Sequence, residues 1–249
     1  MLKEERQRII LDRISTYHKV LSTELSVALQ VSEDTVRRDL KELADQGLIK
    51  KVHGGAVVLE LNPFSFKDRE VFALEKSDLV AHKALSLMHD GMVVIVDGGT
   101  SNMELIKALP KNLSVTILTN SLPIAVQLTE HPAVQIMVLG GRLLKNAQIT
   151  VGTEVVQSLA HIRADLFLMG VRSLDVEVGV TEIDWDESHL KRAAVQNSAK
   201  VACLAISDKL NTVQPYKVCD IKEVNTLVTE LEVHEPILSP YQYLGIEVI

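Results

Sequence analysis

The sequence predicts an α/β protein in two unequal parts: a small helix-rich unit closed by a β-hairpin, then a larger, mostly parallel α/β domain. Three observations lead there. The first sixty residues hold three segments with apolar residues at helical spacing, then a Gly-Gly turn between two β-prone runs. From residue 92 onward, short and nearly continuous apolar runs alternate with helical segments, the pattern of a parallel sheet covered on both faces. The 249 residues are 47% hydrophobic and 24% charged, with only 12 Gly and 7 Pro. That balance excludes a disordered, collagen-like or low-complexity chain and suffices for a sizeable core.

Each element follows from local chemistry. Leu2, Ile9, Ile10 and Ile14 fall near helical spacing among Lys, Glu, Gln and Arg, so residues 3–16 form an amphipathic helix. Ser22 reads as the N-cap of a second helix with Leu25, Ala28 and Leu29 on one face. Val31 and Ser32 break it. Ser32 then caps a third helix, Glu33 and Asp34 suit its positive end, and Val36, Leu40 and Leu43 form its apolar stripe. Gly47 ends this helix as a C′ residue. Residues 48–58 make the hairpin around Gly54-Gly55. Residues 59–69, with two Phe and a Pro, read as a linker that docks, and an amphipathic helix follows at about 70–90. Strands are expected at 92–97, 114–119, 134–139, 165–169, 200–206 and 225–229, and helices at about 101–109, 121–131, 153–162 and 185–198. No repeat of solenoid period is present.

Helix, helix, tight turn, helix and hairpin is the order of a winged helix-turn-helix, whose third helix needs an apolar inner face and an outer face of donors for phosphates and base edges. With Val36, Leu40 and Leu43 inward, Thr35, Arg37, Arg38 and Lys41 occupy the outer arc, and Ser32 sits at the helix N-terminus where backbone N–H groups can meet a phosphate. Lys50, Lys51 and His53 add positive or ionisable groups on the hairpin. An Arg-Arg pair is ordinarily a solvated helix face. Here the basic residues cluster on the one arc the apolar stripe leaves free, and a Gly-Gly hairpin follows at once. The candidate DNA contacts are therefore Ser32, Thr35, Arg37, Arg38, Lys41, Lys51 and His53, on a domain of residues 1–58.

In an open α/β sheet, ligands bind at the carboxyl ends of strands. The first strand runs into Asp97-Gly98-Gly99-Thr100-Ser101-Asn102 at a helix start, where close backbone approach, hydroxyls and N–H groups favour an anion. Taken alone, such a loop is also what a plain Gly-rich turn looks like. The second strand ends in Thr119-Asn120-Ser121 and the third in Gly140-Gly141-Arg142, so three consecutive strand ends offer small or polar residues to one pocket.

The stretch Val31-Ser32-Glu33-Asp34-Thr35-Val36-Arg37-Arg38-Asp39-Leu40, with Val52-His53-Gly54-Gly55-Ala56, resembles the DeoR family of bacterial sugar-metabolism regulators. The resemblance continues in order and spacing through Asp97-Gly98-Gly99-Thr100, Thr119-Asn120-Ser121, Gly140-Gly141, Val151-Gly152, Asp165-Leu166-Phe167 and Glu187 to Lys191-Arg192. It implies a helix-turn-helix at 20–39 that reads double-stranded operator DNA, with Asp39 orienting Arg38 or a neighbour. It also implies that residues 70–249 form a sensing and oligomerisation domain resembling ribose-5-phosphate isomerase and glucosamine-6-phosphate deaminase in fold, with a phosphorylated sugar as effector. Carried over, Asp97, Gly98, Gly99, Thr100 and Ser101 form the phosphate loop. Thr119, Asn120, Ser121, Gly140 and Gly141 add contacts, and Lys191 and Lys209 are candidate cationic contacts, each equally readable alone as a solvated surface charge. The chain departs from the family pattern at Gly170-Val171-Arg172-Ser173-Leu174, where Arg172 is a candidate extra anion contact, and at Leu204-Ala205-Ile206-Ser207-Asp208-Lys209. Both departures bear on which effector fits.

Other classes are less well served. Cys203 and Cys219 make neither a disulfide framework nor a metal-ligand spacing, so no metal and no cofactor is expected. Lys3, Glu4, Glu5, Arg6 and Arg8 interrupt any signal-like run, and no stretch approaches eighteen uncharged apolar residues, so a cytoplasmic protein without membrane contact is expected. A sugar-phosphate isomerase or deaminase with an appended winged helix is the rival reading. Asp165, Asp175, Glu177, Glu182, Asp184 and Glu187, assisted by His161 or His189, could supply acid–base chemistry, but they form no recognisable catalytic motif. An adaptor that uses the winged helix for protein contacts does not fit the outward basic arc. A repressor acting as a homodimer or homotetramer on operator half-sites is the expectation. The formal charge of −7 does not oppose it: residues 1–60 hold ten basic and ten acidic groups, and the excess of 23 acidic over 16 basic lies wholly in residues 61–249.

Overall fold

The computed structural model describes residues 3–17, 19–46, 48–52, 54–58 and 74–249, which fall into two compact units, residues 1–68 and 69–249. In the first, helices α1 (Lys3–Tyr17), α2 (Ser22–Leu29) and α3 (Glu33–Asp45) enclose Ile10, Ile14, Leu25, Leu29, Val36, Leu40 and Leu43, apolar positions that the helical spacing selects, whereas Ala28, expected beside Leu25 and Leu29, is exposed. Strands β1 (Lys19–Leu21), β2 (Ile49–Val52) and β3 (Gly55–Val58) form an antiparallel sheet in the order β1-β3-β2. The hairpin was legible from its Gly-Gly turn, with Gly54 at φ +80°. The three residues of β1 are too few to show alternation, so periodicity misses this strand. Ser22 is not the cap expected. It is the first residue of α2, buried, with its backbone N–H donating to the Gly54 carbonyl at 2.8 Å, and Leu21 occupies the cap position. The turn between α2 and α3 is made by Gln30 in the left-handed region (φ 53°). Ser32 does cap α3, accepting from the Thr35 backbone N–H at 3.2 Å. Gly47, His53, the linker at 59–69 and the start of the helix expected at 70 lie outside the described residues.

The second unit is built on a seven-stranded sheet. Strands β4 (Val93–Val96), β5 (Thr116–Thr119), β6 (Gln135–Val138), β9 (Ala164–Gly170), β12 (Ser198–Leu204), β14 (Thr226–Val228) and β15 (Glu247–Val248) lie in the order β15-β14-β12-β9-β4-β5-β6, every pair parallel. The six runs read as strands all enter this sheet; in the inner strands apolar residues buried on both faces leave a nearly continuous signal, and β6, at the edge, is apolar but largely exposed. Helices α4 (Leu74–Ala84), α5 (Thr100–Lys107), α6 (Leu122–Leu128), α7 (Thr153–Ala160) and α8 (Trp185–Gln196) cover it, with a short α9 (Ser239–Tyr243) near the end. A 3₁₀ turn, Leu85–Leu87, shortens the first of these helices relative to expectation. Two antiparallel additions carry no sequence signal: a hairpin of β7 (Arg142–Leu144) with β8 (Ile149–Val151), and a sheet of β10 (Ser173–Asp175), β11 (Gly179–Glu182) and β13 (Tyr216–Cys219). Among the described residues, no helix is long and apolar enough to cross a membrane.

The strand order fixes where a ligand can sit. From β4 the chain steps outward to β5 and β6, then returns to β9 on the other side of β4. The connections that leave the carboxyl ends of the paired strands β4 and β9 therefore run in opposite directions, a topological switch point where open α/β sheets leave a crevice.

Candidate functional site

The outer face of α3 is the first candidate. Val36, Leu40 and Leu43 are buried, whereas Ser32, Arg37, Arg38 and Lys41 are exposed and Thr35 is half-buried. Lys51 is exposed on β2. Arg37 pairs along its own helix with Glu33 at 3.0 Å and Asp34 at 3.7 Å. Asp39 is buried and does not orient Arg38. Arg6 of α1 reaches it through Nε at 2.5 Å and through Nη2 at 3.1 Å, so the carboxylate fastens α1 to α3. The hydrogen bond to Asp39 raises the Arg6 pKa against its partial desolvation. Turned inward and neutralised, Asp39 presents no repulsive charge to a polyanion on the outer face.

The second candidate is the switch-point crevice, a narrow, partly open cleft. Gly98, Gly99, Thr100 and Ser101 form one wall, at the end of β4 and the start of α5. Gly170, which ends β9, and Val171 and Arg172 after it form the other, and Glu182, Glu187, Lys191, Leu204 and Lys209 complete the lining. Gly99 holds φ +151°, which only glycine adopts readily. At the facing position, a Cβ on Gly170 would lie 2.6 Å from the Gly98 carbonyl, so the two strand ends approach as closely as they do because 170 is glycine. The Gly99 cap position makes no side-chain hydrogen bond to α5, which leaves N–H groups of its first turn available to an anion.

Beneath the loop lies a buried charge cluster. Lys191, 2% exposed, projects from α8; its Nζ donates to the Glu182 carboxylate and to the Gly170 carbonyl at 2.7 Å, with Glu187 Oε1 at 3.2 Å and Asp97 Oδ2 at 3.5 Å. Asp97 Oδ1 accepts from the Gly170 N–H at 2.7 Å and from Asn102 Nδ2 at 2.8 Å. Burial pushes the Asp97 pKa up to about 7, with the Lys191 charge opposing and Glu187 and Glu182 adding to the rise. Burial also raises Glu182, reinforced by Glu187 and resisted by Lys191. For Lys191, burial acts to lower the pKa, but Glu182, Glu187 and Asp97 together outweigh it and raise it, so the ammonium stays charged.

The structure thus brings Gly98, Gly99, Thr100, Ser101, Arg172, Lys191 and Lys209 to one cleft, with Asp97 directly below. It does not bring Thr119, Asn120, Ser121, Gly140 or Gly141 to the walls of that cleft. The β7–β8 hairpin accounts for this: Thr150 N–H donates to the Asn120 carbonyl at 2.8 Å, and Asn120 Nδ2 donates to the Thr150 carbonyl at 3.0 Å. Thr119 Oγ1 accepts from the Ser121 N–H at 3.0 Å, and Ser121 caps α6. Gly141 is exposed, and a Cβ there would meet the Val151 carbonyl at 2.7 Å, so hairpin packing explains this glycine. Glu182, which the sequence offers only among the acids of the rival enzyme reading, stands in this cleft as the partner of Lys191. Its one signal is an acid in Gly179-Val180-Thr181-Glu182, a strand buried throughout. Among the described residues, no group of three or more His, Cys, Asp and Glu could hold a metal ion.

Comparison with known proteins bears on both candidates. The chain matches a DeoR-like helix-turn-helix domain over residues 6–61 and a DeoR C terminal sensor domain over residues 73–231. It is 32% identical to the HTH-type transcriptional regulator GlpR of Haloferax volcanii over 92% of this chain and 91% of that protein. It is 31% identical to the HTH-type transcriptional repressor GlcR of Bacillus subtilis over 92% and 89%. The glycerol-3-phosphate regulon repressor of Escherichia coli K12 is 27% identical over 92% of each. Among solved structures, ribose 5-phosphate isomerase from Methanocaldococcus jannaschii aligns with a TM-score of 0.40 at 16% identity, over 55% of each chain.

Proposed function

The chain belongs to the DeoR family of DNA-binding transcriptional regulators, and from that premise we propose that it represses a sugar-catabolic operon until a phosphorylated sugar or related metabolite enters the β4–β9 cleft. The observation that carries the effector class is the pairing of two unlike halves in one crevice. The Gly98-Gly99-Thr100-Ser101 loop presents N–H groups and hydroxyls at a helix start, and Arg172 and Lys209 line the same cleft. Carboxylates outnumber Lys191 on the floor, so an anion is held by the loop end and not by the floor. Glu187 on that floor is a carboxylate able to accept hydrogen bonds from hydroxyls of a ligand. A ligand with a phosphate at one end and hydroxyls at the other fits both. The glycerol-3-phosphate regulon repressor among the relatives supports this class of signal.

A symmetric dimer or tetramer, which sets two winged helices on operator half-sites, belongs to the same proposal. So does the absence of catalysis: the carboxylates near the cleft are engaged with Lys191 and do not form a nucleophile–base pair. Incubation with pentose and hexosamine phosphates should give no turnover, and steady product formation would favour the isomerase reading instead.

The direct test is a thermal-shift screen of sugar phosphates, repeated with promoter DNA from the protein's own genomic neighbourhood. Thr100→Val removes one hydroxyl from the loop at nearly constant shape and should weaken the responding phosphosugar by about 10–100-fold, the worth of a hydrogen bond to a charged group. An unaltered shift in this variant would move the anion site elsewhere.

A further inference from the structure

Helix α4 bonds the Thr100-Ser101 wall of the cleft and the turn that carries Lys209, and we infer that it is the element through which occupancy of the cleft is transmitted, with Ser77 and Lys76 as the coupling residues. The inference rests on the reading of the cleft as an effector site. Ser77 is buried on α4; its Oγ lies 3.5 Å from Thr100 Oγ1 and accepts from Ser101 Oγ at 3.4 Å. One residue earlier, Lys76 Nζ donates to Ser207 Oγ at 3.0 Å and to Asp208 Oδ2 at 2.9 Å, with Glu230 Oε1 at 3.4 Å. Ser207 and Asp208 share a single 3₁₀ turn with Lys209, which lines the cleft. Adjacent residues of one helix therefore bond the phosphate loop on one side and the Lys209 turn on the other.

The strengths of these contacts are unequal in a useful way. Hydroxyl–hydroxyl bonds are ordinarily 2.5–3.0 Å long, so the two that join Ser77 to the loop are stretched. A phosphate oxygen offers the same hydroxyls shorter, charge-assisted bonds. An anion on the loop therefore draws Thr100 and Ser101 away from Ser77 at little cost. Drawing Lys209 inward moves Ser207 and Asp208, and with them the anchor of Lys76. Farther along, Lys83 donates to the Thr229 and Leu231 carbonyls at 2.9 Å each, so the other end of α4 stays fixed and a change at Ser77 pivots the helix. In sequence, α4 is the first described element after the segment that joins it to the DNA-binding unit.

The test uses the full chain with the sugar phosphate that shifts the wild-type melting temperature most. Hydrogen exchange of α4 amides and release of promoter DNA are measured in wild type, Ser77→Ala, Lys76→Met and Lys76→Arg. In wild type, the ligand should change exchange across 74–84 and release the DNA. In Ser77→Ala and Lys76→Met, ligand affinity should stay within about three-fold while the ligand's effect on DNA affinity falls about ten-fold, within the usual range of allosteric coupling. Lys76→Arg, which keeps the cation, should retain the response. Should Ser77→Ala not fold, Lys76→Met, at a half-exposed site, decides alone. Full DNA release and wild-type exchange changes in both loss variants would overturn the coupling while leaving the cleft as the effector site. The absence of any ligand-induced shift in wild type would overturn the effector reading, and this inference with it.

Discussion

Lys191→Met should destabilise the sensor unit by about 3–5 kcal/mol, the usual cost of removing one partner from a buried ion pair. For a unit of this size that lowers the melting temperature by roughly 10 °C. The change leaves Glu182, Asp97 and Glu187 without the ammonium that all three share. Glu182→Gln added to Lys191→Met should restore part of the loss, because it removes one uncompensated charge; a strictly additive pair would show that Lys191 acts through packing alone. The pH dependence carries its own sign. With the Asp97 pKa raised from 3.8 to about 7 in the native state, the folded chain holds more protons than the unfolded one between those values. The contribution of protonated Asp97 is fully present below pH 3.8 and is lost as pH rises through about 7. Without Lys191 the Asp97 pKa rises further, so the penalty of the variant should grow from pH 5 to pH 8. A penalty independent of pH in thermal melts would contradict the charge-cluster account.

The fold was readable where a signal repeats. Parallel strands such as β9, buried on both faces, print long apolar runs, and α3 prints its stripe as Val36, Leu40 and Leu43. The short strands β1, β8 and β15 print nothing, because alternation needs more positions than they have. At the cleft, Gly98-Gly99-Thr100 was readable because a strand that turns directly into a helix needs just such residues. The partnership of Glu182 with Lys191 was not, since only the packing of β11 beside α8 brings the two together. Thr119-Asn120-Ser121 shows the converse failure. Polar residues after a strand also cap the next helix, and a sequence cannot distinguish a cap from a ligand contact until the β7–β8 hairpin is seen lying across them.

On the DNA-binding unit, Arg38→Ala should weaken operator binding by about 10–100-fold, as loss of a bidentate base contact costs about 1–3 kcal/mol. The structure separates this residue from its neighbour. Arg37 already holds Glu33 and Asp34 on the same exposed face and must exchange them to reach DNA. Such surface pairs are worth about 0–1 kcal/mol, so the exchange is feasible, but it subtracts from what Arg37 contributes. Arg37→Ala should therefore cost less than Arg38→Ala and act mainly as loss of a phosphate contact, reducing the salt slope by about one without relaxing sequence preference. Arg38→Ala should relax preference at one base pair in each half-site. Neither variant should alter the melting curve, because Asp39, the charged residue of this stretch that the fold does use, is held by Arg6 of α1. Fluorescence anisotropy against the promoter fragment at several salt concentrations measures all three quantities. Wild-type operator affinity in Arg38→Ala, together with a native melting curve, would remove Arg38 from the recognition surface and transfer that role to Lys41, exposed one turn along the same helix.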